Sequence, residues 1–341
     1  MSNKFCRFLS NGKSLMLKPN GGLNVRPCCW YKGPDLRTFD VTEKEEWLPG
    51  CRVCQEQESA GHHSYRQSSF EIIDKDSSYL DIAIDYECNA ACVMCGPHLS
   101  TTWEKLVTNK KVLEIKTNLS YEKELQEILT TNDLDRCQRV KFSGGEPFLT
   151  KTYQLILDRI TNPENVTVWF TTNGSVELDD DTLEYLSKFK NVFYEVSIDG
   201  IDKQFEYIRW PLLWSKVSQN LINLKQRAPG NLIFRVSHTL NPFNVYYYDR
   251  VEQWVDQNLK TNREGDPTDI NIHPCWGTWG LDRTPKALRD VIDNNTIGSL
   301  LNTQSQSDIT PLKEFVNKWD PIRKTNWKQT FPEIIDYFEL D

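Results

Sequence analysis

The sequence predicts an α/β fold, a partial (β/α)6 TIM-like barrel with a small cysteine-rich N-terminal module and a helical C-terminal tail. Strand-like and helical patterns alternate between Tyr79 and Pro274, glycines and polar side chains follow the strand ends, and cysteines crowd the first segment of the chain. We expect three parts: the module at 1–67, the barrel at 78–275, and a helical extension at 276–341 that packs on the barrel.

Short apolar runs bounded by turn residues are typical of buried strands, and the stretches between them have helical periodicity. The strand-like runs are Leu80–Tyr86, Arg139–Phe142, Val166–Thr172, Val192–Ile198, Ile233–Thr239 and Asp269–Pro274. The helical patterns are Tyr121–Leu129, Tyr153–Ile160, Thr182–Phe189, Val217–Arg227 and Val251–Leu259. Because such β–α connections are right-handed, the sheet can curl, and the loops after the strands carry the chemistry.

Composition narrows the class of protein. The chain has 341 residues, 38% hydrophobic residues, a net charge of -8 and ten cysteines. It has no apolar run long enough to span a membrane and no secretory signal pattern, so we expect a cytoplasmic location and no membrane partner. The acidic balance disfavours a nonspecific surface for duplex nucleic acid. Clustered cysteines in a reducing compartment indicate metal ligands rather than disulfides.

Three cysteines follow the first strand of the predicted barrel. Cys88, Cys92 and Cys95 have C-x3-C-x2-C spacing, which lets three thiolates from one loop converge on one soft metal centre. A cubic iron–sulfur cluster normally has four cysteine ligands, so three leave one iron open to a substrate or cofactor. A zinc knuckle is the alternative.

The N-terminal segment carries five further cysteines. Cys28 and Cys29 follow a predicted β-hairpin whose strands, Leu15–Leu17 and Leu23–Arg26, flank Pro19–Gly22. Cys51 and Cys54 form a knuckle after a Pro-Gly turn, and Cys6 precedes the hairpin. A segment this small has little apolar core, so a metal would stabilise it. The spacing alone favours zinc and an iron–sulfur cluster equally.

The other strand ends present residues suited to a small polar ligand. Ser143-Gly144-Gly145-Glu146-Pro147 combines close backbone approach with a carboxylate for an ammonium group. The next strands end in Thr171-Thr172-Asn173-Gly174 and in Ser197-Ile198-Asp199-Gly200. Arg209 follows and could hold a carboxylate bidentately. Each motif alone is an ordinary turn, but successive strand ends bring them together.

These motifs resemble those of the radical S-adenosylmethionine (SAM) superfamily. Cys88, Cys92 and Cys95 match its cysteine motif, and Gly144-Gly145-Glu146-Pro147 matches its methionine-ammonium motif. The resemblance implies a [4Fe–4S] cluster whose open iron binds SAM. It implies further contacts with SAM from Asn173, Ser197, Asp199 and Arg209. It also implies reductive cleavage of SAM to a 5′-deoxyadenosyl radical, which abstracts a hydrogen from substrate. Met94 stands where many members have an aromatic residue, and it can pack near adenine.

The N-terminal cysteines resemble the twitch module, a shorter relative of the SPASM domain that holds an auxiliary cluster. The resemblance implies a second [4Fe–4S] cluster with ligands Cys6, Cys28, Cys51 and Cys54, with Cys29 as the alternative to Cys28. It implies an enzyme acting on a peptide, an amino acid or a carbohydrate, with an external one-electron reductant such as flavodoxin or ferredoxin. The alternatives are a non-catalytic electron-transfer or binding protein, and a radical SAM enzyme that modifies nucleic acid.

Overall fold

The computed structural model describes residues 6–17, 22–35, 47–61, 63–74, 76–84, 86–108, 120–259, 268–302 and 305–338. Within these ranges one eight-stranded sheet organises the chain, with its strands in the order β2-β1-β3-β4-β5-β6-β7-β8. The strands are β1 Gly12–Leu17, β2 Leu23–Arg26, β3 Ser78–Ala83, β4 Cys137–Phe142, β5 Thr167–Thr172, β6 Asn191–Ser197, β7 Leu232–Leu240 and β8 Ile270–Pro274.

The six strands from β3 to β8 pair in parallel and in chain order. This confirms the predicted α/β class with a mostly parallel sheet, and the arrangement is consistent with a radical SAM partial barrel. The first predicted strand ends earlier than expected, at Ala83. Residue 85 of that prediction lies outside the described residues.

The N-terminal hairpin extends this sheet. Its two strands, β1 and β2, are antiparallel to each other as predicted, and β1 also pairs in parallel with β3. Residues 19–21 of the predicted turn lie outside the described residues. The local pattern of the hairpin identified its two strands but contained no information about the long-range parallel pairing.

Short helices surround the sheet. Before β3 lie α1 Arg7–Asn11, α2 Arg52–Ser59 and α3 Tyr65–Ile72. Between β3 and β8 lie α4 Thr101–Thr108, α5 Ser120–Ile128, α6 Thr131–Asp135, α7 Pro147–Thr150, α8 Gln154–Leu157, α9 Asp180–Ser187, α10 Asp202–Ile208, α11 Trp214–Arg227 and α12 Tyr248–Asn258. After β8 come α13 Lys286–Arg289, α14 Asn295–Asn302, α15 Thr310–Arg323 and α16 Trp327–Thr330. None of the described helices is both long and apolar enough to cross a membrane.

The two faces of the sheet differ in chemistry because side chains alternate along each strand. One face contributes Leu80, Val140, Phe170, Val196 and Val236 to the largest apolar core. The other face, here called the polar face, carries a different set of side chains, namely Asp81, Lys141, Trp169, Glu195 and Arg235. An apolar face packs against helices, whereas a polar face of a curled sheet surrounds a space that a ligand can enter.

The C-terminal segment packs against the residues around the cysteine motif. Trp103 of α4 makes an edge contact with Trp319 of α15, with ring centroids 4.8 Å apart. Tyr207 of α10 makes a similar contact with Phe331 at 5.2 Å. A second apolar core includes Val93 together with residues of this segment. The tail therefore buries the outer side of the cysteine motif.

Candidate cluster and cofactor site

The cysteine loop, residues 86–100, follows β3 at the carboxyl end of the sheet. Its backbone is bonded to the segment after α10: the amide of Ala91 donates to the carbonyl of Trp210 at 2.6 Å, and that of Val93 to Ile208 at 2.9 Å. On the other side, the indole Nε1 of Trp103 donates to the carbonyl of Cys92 at 2.7 Å. The loop is therefore held by the fold itself.

The three thiols of this loop lie in a largely desolvated environment. Cys92 is buried, while Cys88 and Cys95 are partly exposed. Burial raises the pKa of both Cys88 and Cys95 to about 12, and the charge of Cys92 adds to this effect. Thiols with a raised pKa hold their protons at neutral pH, so a metal that binds them must displace those protons.

Among the described residues, no three His, Cys, Asp or Glu side chains are grouped so that they could hold one metal ion. A cubic cluster makes a different demand, because each of its thiolate ligands binds a different iron atom. The chemistry of the donor set fits such a cluster, because three soft thiolates lie on one loop beside a buried cation.

That cation is Arg209, which ends α10. Its Nη2 lies 2.6 Å from Oδ2 of Asp199 in a pair where the two side chains are 9% and 0% exposed. Its Nη1 lies 3.7 Å from Sγ of Cys92. Burial raises the pKa of Cys92, and the positive charge of Arg209 opposes that rise. The sequence predicts that Arg209 holds the carboxylate of a ligand, and in the structure it pairs with the carboxylate of Asp199.

Glu146 also turns inward. Its Oε1 accepts hydrogen bonds from Thr172 Oγ1 at 2.7 Å and from the amide of Phe148 at 3.3 Å, and its Oε2 accepts from the amide of Asn173 at 2.7 Å. The residue is completely buried, and burial raises the pKa of Glu146 to about 7. We expected this carboxylate to face a ligand ammonium group. In the structure, it joins the ends of β4 and β5.

The two glycines before Glu146 have distinct places in the structure. Gly144 has a φ of +115°, which L side chains rarely adopt. Gly145 packs so closely on the cysteine loop that a Cβ there would clash with the carbonyl oxygen of Glu87. The amide of Glu146 donates to the same carbonyl at 2.7 Å. Pro147 begins α7 and is buried. Gly145 and Glu146 therefore pack on the cysteine loop, whereas Gly144 is exposed.

Asn173 connects the end of β5 to the cysteine loop. Its Nδ2 donates to Oδ1 of Asn89 at 2.9 Å, and its Oδ1 accepts from the amide of Ser175 at 2.9 Å. Asn89 lies between Cys88 and Cys92 in the chain, and its Nδ2 donates to the Ser175 hydroxyl at 2.8 Å. This amide network fixes the cysteine loop relative to the sheet.

The remaining predicted contacts lie at the same end of the sheet. Ser197 is buried as the last residue of β6, opposite Ser237 of β7. Met94 is partly buried and packs against both large apolar cores. Asp199 accepts from the amide of Thr239 at 2.7 Å in addition to its contact with Arg209. Asp199, through its pair with Arg209, is thereby connected to Cys92 of the cysteine loop.

A separate cavity collects four of the five N-terminal cysteines. It is lined by Cys6, Cys28, Cys51 and Cys54, together with apolar side chains and Arg66. Arg66 forms a bidentate pair with Glu58, with nitrogen–oxygen distances of 2.8 and 2.7 Å. The four thiols come from three separate segments, which the chain brings together around one space.

Cys29 does not line that cavity and keeps an exposed surface. Its thiol is nevertheless crowded by protein atoms, so desolvation and the nearby Asp81 carboxylate raise the pKa of Cys29 to about 12. The charge of Lys141 opposes this rise. Cys29 therefore lies beside the polar face of the sheet rather than with its four neighbours.

Glu195 is a buried charged residue that the sequence did not indicate as a site residue. Its Oε2 accepts from Trp169 Nε1 at 3.0 Å and from Thr171 Oγ1 at 2.9 Å, and its Oε1 accepts from Asn271 Nδ2 at 3.1 Å. Lys141 Nζ lies 3.8 Å from Oε2. The sequence did contain a signal for Glu195, namely a charged residue within an otherwise apolar strand. Such a residue needs partners when it is buried.

The comparison with protein families bears on this site. The family model described as Radical SAM superfamily matches residues 84–253. That range begins at the cysteine loop and continues through β4 to β7. The match supports assignment of the chain to the radical SAM superfamily, and membership of that superfamily implies an enzyme, a [4Fe–4S] cluster and SAM.

Solved structures with similar folds include two SAM-related proteins. Streptococcus suis SuiB bound to precursor peptide SuiA is 14% identical, with a TM-score of 0.43, and the match covers 87% of this chain and 59% of that one. Native anSMEcpe with bound AdoMet is 16% identical, with a TM-score of 0.41 and coverages of 65% and 61%. The chain thus spans about three fifths of the length of each. Structural similarity at these sequence identities and TM-scores carries no information about the substrate of this chain. No curated protein matches the chain.

Proposed function

We propose that this chain is a radical SAM enzyme that cleaves SAM reductively and abstracts a hydrogen atom from a peptide, amino-acid or carbohydrate substrate. The observation that carries the proposal is the placement of Cys88, Cys92 and Cys95 on a hydrogen-bonded loop beside the buried Arg209–Asp199 pair and the backbone of Gly145. When bound, the reduced cluster supplies the electron that cleaves the sulfonium of SAM to methionine and a 5′-deoxyadenosyl radical.

The chain's own residues would perform four tasks in that reaction. Cys88, Cys92 and Cys95 would hold the cluster, and Arg209 would stabilise the thiolate of Cys92 by its positive charge. The backbone of Gly144 and Gly145 would approach the ligand. The remaining proposed contacts with SAM are Met94, Glu146, Pro147, Asn173, Ser197, Asp199 and Arg209.

In addition to their proposed contacts with SAM, we assign Glu146 and Arg209 a positioning role, because both also have partners within the protein. Glu146 fixes the strand ends that carry Asn173 and the glycines. Arg209 and Asp199 neutralise each other where a charge would otherwise be buried alone. A direct contact with SAM is compatible with these bonds, because a carboxylate that accepts three hydrogen bonds can accept another, and the buried Nε of Arg209 has no hydrogen-bond partner among the described residues.

We propose that residues 1–67 form a twitch-like module whose auxiliary [4Fe–4S] cluster assists electron transfer. The convergence of Cys6, Cys28, Cys51 and Cys54 on one cavity supports this ligand set. The position of Cys29 outside the cavity favours Cys28 as the fourth ligand. We divide the rest of the chain into a barrel at 78–275 and a helical extension at 276–341, and we propose a cytoplasmic location.

The polar face of the sheet supports a polar substrate. Lys141 and Arg235 have side chains that are 33% and 29% exposed, and each lies beside an aromatic ring and a carboxylate. A half-exposed surface of this kind suits amide, hydroxyl and carboxylate groups, because each ligand group can replace a water at a charged partner. Peptides and sugars carry such groups.

The proposal is tested with anaerobically reconstituted protein. We expect this protein to bind about eight iron atoms per chain, as two clusters require. We also expect it to release 5′-deoxyadenosine from SAM under a strong reductant. Cys88→Ala should abolish that release and leave the spectrum of the auxiliary cluster. Cys137→Ala is the matched control, because Cys137 is a buried thiol in β4 that we assign to no cluster. SAM cleavage that survives in Cys88→Ala would contradict the proposal.

A further inference from the structure

A groove lies on the outer side of the cysteine loop, between residues 203–213 and residues 323–330, and has a volume of about 370 Å³. We call it the basic groove and define it by Lys203, Tyr207, Trp210, Arg323 and Lys324. It belongs neither to the polar face of the sheet nor to the N-terminal cavity. Its floor is the segment that holds the cysteine loop in place.

The charge of the basic groove is opposite to that of the whole chain. Three cationic residues line it, namely Lys203, Arg323 and Lys324, and Glu206 is its one acidic lining residue. Within the described part of the chain, neither Lys203 nor Lys324 has a carboxylate partner, and both residues are exposed. On a chain of net charge -8, this is a local positive potential that attracts an acidic partner.

The groove is separated from Cys92 by one layer of protein. Nη2 of Arg323 donates to the carbonyls of Ala91 at 3.1 Å and of Tyr207 at 3.0 Å. The amide of Ala91 donates to the carbonyl of Trp210 at 2.6 Å. A molecule seated in the groove would therefore lie behind Cys92, on the side away from the strand ends that would bind SAM.

The rim of the groove is apolar as well as charged. Leu213, which lines the groove, is 57% exposed, and Ile322, next to Arg323 in the chain, is 50% exposed. Electron-transfer complexes between proteins are typically small and combine electrostatic steering with a modest apolar contact. Nucleic acid would instead require a longer basic stripe.

We propose that the basic groove is the docking surface for an acidic one-electron donor protein of the flavodoxin or ferredoxin class. The inference rests on the proposed function, since the electron is the one that SAM cleavage consumes. In the transfer, the donor loses one electron and the cluster held by Cys88, Cys92 and Cys95 gains it. No covalent bond forms or breaks in this step.

A substitution at Lys324 can separate the effect of charge on donor binding from any effect on the stability of the fold. It ends α15 with a φ of 56°, in the left-handed region where glycine and asparagine are favoured. Lys324→Gly should therefore stabilise the fold slightly while removing one cation from the groove. A variant that unfolds less readily yet binds the donor more weakly cannot be explained by damage to the fold.

The main experiment compares two charge reversals in reconstituted protein. The groove variant carries Lys203→Glu and Lys324→Glu. The control variant carries Lys188→Glu and Lys190→Glu, which make the same change in net charge beside the amino end of β6. Oxidised flavodoxin is titrated at low ionic strength for Kd, and reduced flavodoxin is mixed with each protein to follow bleaching of the cluster absorbance. Dithionite serves as the small reductant.

We expect the groove variant to raise the Kd for flavodoxin about tenfold or more and to slow cluster reduction by the same factor, because like charges then face each other. Added salt should weaken binding by the unaltered protein. Dithionite-driven release of 5′-deoxyadenosine should be unchanged in both variants. Lys324→Gly should raise the Kd by a smaller factor.

The docking proposal is overturned if the groove variant changes Kd and reduction rate no more than the control variant does. It is also overturned if the groove reversal removes binding of single-stranded RNA and leaves binding of flavodoxin intact. Failure of dithionite to drive SAM cleavage in the unaltered protein would instead overturn the proposed function, and the flavodoxin titration would still report on docking.

Discussion

The cysteine loop and the N-terminal cavity both gather thiols, but they are held in different ways. The cysteine loop packs on the largest apolar core and is hydrogen-bonded to neighbouring segments on two sides. The cavity has only a small core, including Phe8, Tyr31, Leu48 and Tyr79. A site built on a large core is preorganised before a cofactor binds, whereas a small core depends on the metal for much of its stability. The comparison therefore predicts that equivalent changes have larger effects at the loop.

The largest effect should come from the buried pair beside Cys92. Asp199→Asn leaves the guanidinium of Arg209 without its carboxylate in a desolvated place, which should lower the free energy of unfolding by about 3–5 kcal/mol. Urea unfolding of the purified protein measures this loss. A change below about 1 kcal/mol, the range typical of exposed pairs, would show that the cysteine loop is not preorganised by this pair.

The second-largest effect should be a pH dependence of the free energy of unfolding that comes from Glu146. The pKa of Glu146 rises from 4.5 to about 7 on folding. Because the folded state holds this proton more tightly, the free energy of unfolding should fall as pH rises from 4.5 to about 7. The total is on the order of 3 kcal/mol at about 1.4 kcal/mol per pKa unit. Glu146→Gln should remove that decline, as measured by urea unfolding at a series of pH values.

Glu195 serves as a control, because its contribution to the free energy of unfolding should change with pH in the opposite direction. Burial alone would raise its pKa, but the charge of Lys141 and three hydrogen bonds outweigh burial, so the pKa of Glu195 is lowered. Its stabilisation is therefore present at neutral pH and is lost as pH falls through the lowered pKa. Glu195→Gln should weaken the fold at neutral pH and have less effect in acid. The same pH trend in both variants would contradict the assignments.

In the N-terminal module, the corresponding test is Glu58→Gln. The Arg66–Glu58 pair is bidentate, but its side chains are 9% and 17% exposed, so water can partly replace the lost contact. We expect a loss of about 2 kcal/mol, typical of hydrogen bonds to charged groups. Limited proteolysis should show cleavage of the module before cleavage of the barrel. A loss as large as that in Asp199→Asn would remove the contrast between the two regions.

The smallest effect should be that of Cys29→Ala on iron content. Because Cys29 lies outside the four-thiol cavity, its replacement should leave bound iron nearly unchanged, whereas Cys28→Ala should reduce it by the content of one cluster. Iron analysis and the visible spectrum of the two reconstituted variants make the comparison. Equal losses in both would mean that Cys28 and Cys29 exchange as ligands.

Much of the fold and the composition of the site followed from local patterns. Apolar runs of strand length, alternating with helical periodicity, indicated the order of the six parallel strands, because short apolar runs bounded by turn residues are typical of buried strands. The C-x3-C-x2-C spacing indicated a metal loop, and turn residues after successive strands indicated one shared end. These inferences needed only the chemistry of residues near one another in the chain.

The tertiary structure alone decided which partner each polar group took. Asp199 and Arg209 were both expected to face a ligand, yet desolvation makes their mutual pair the favourable arrangement. Glu146 is satisfied by donors from Thr172 and Asn173, which lie far along the chain. The sequence by itself thus determined which groups reach the site. Contacts between distant segments decided which groups remain available to a ligand, because a buried charge must be neutralised by whatever the fold places beside it.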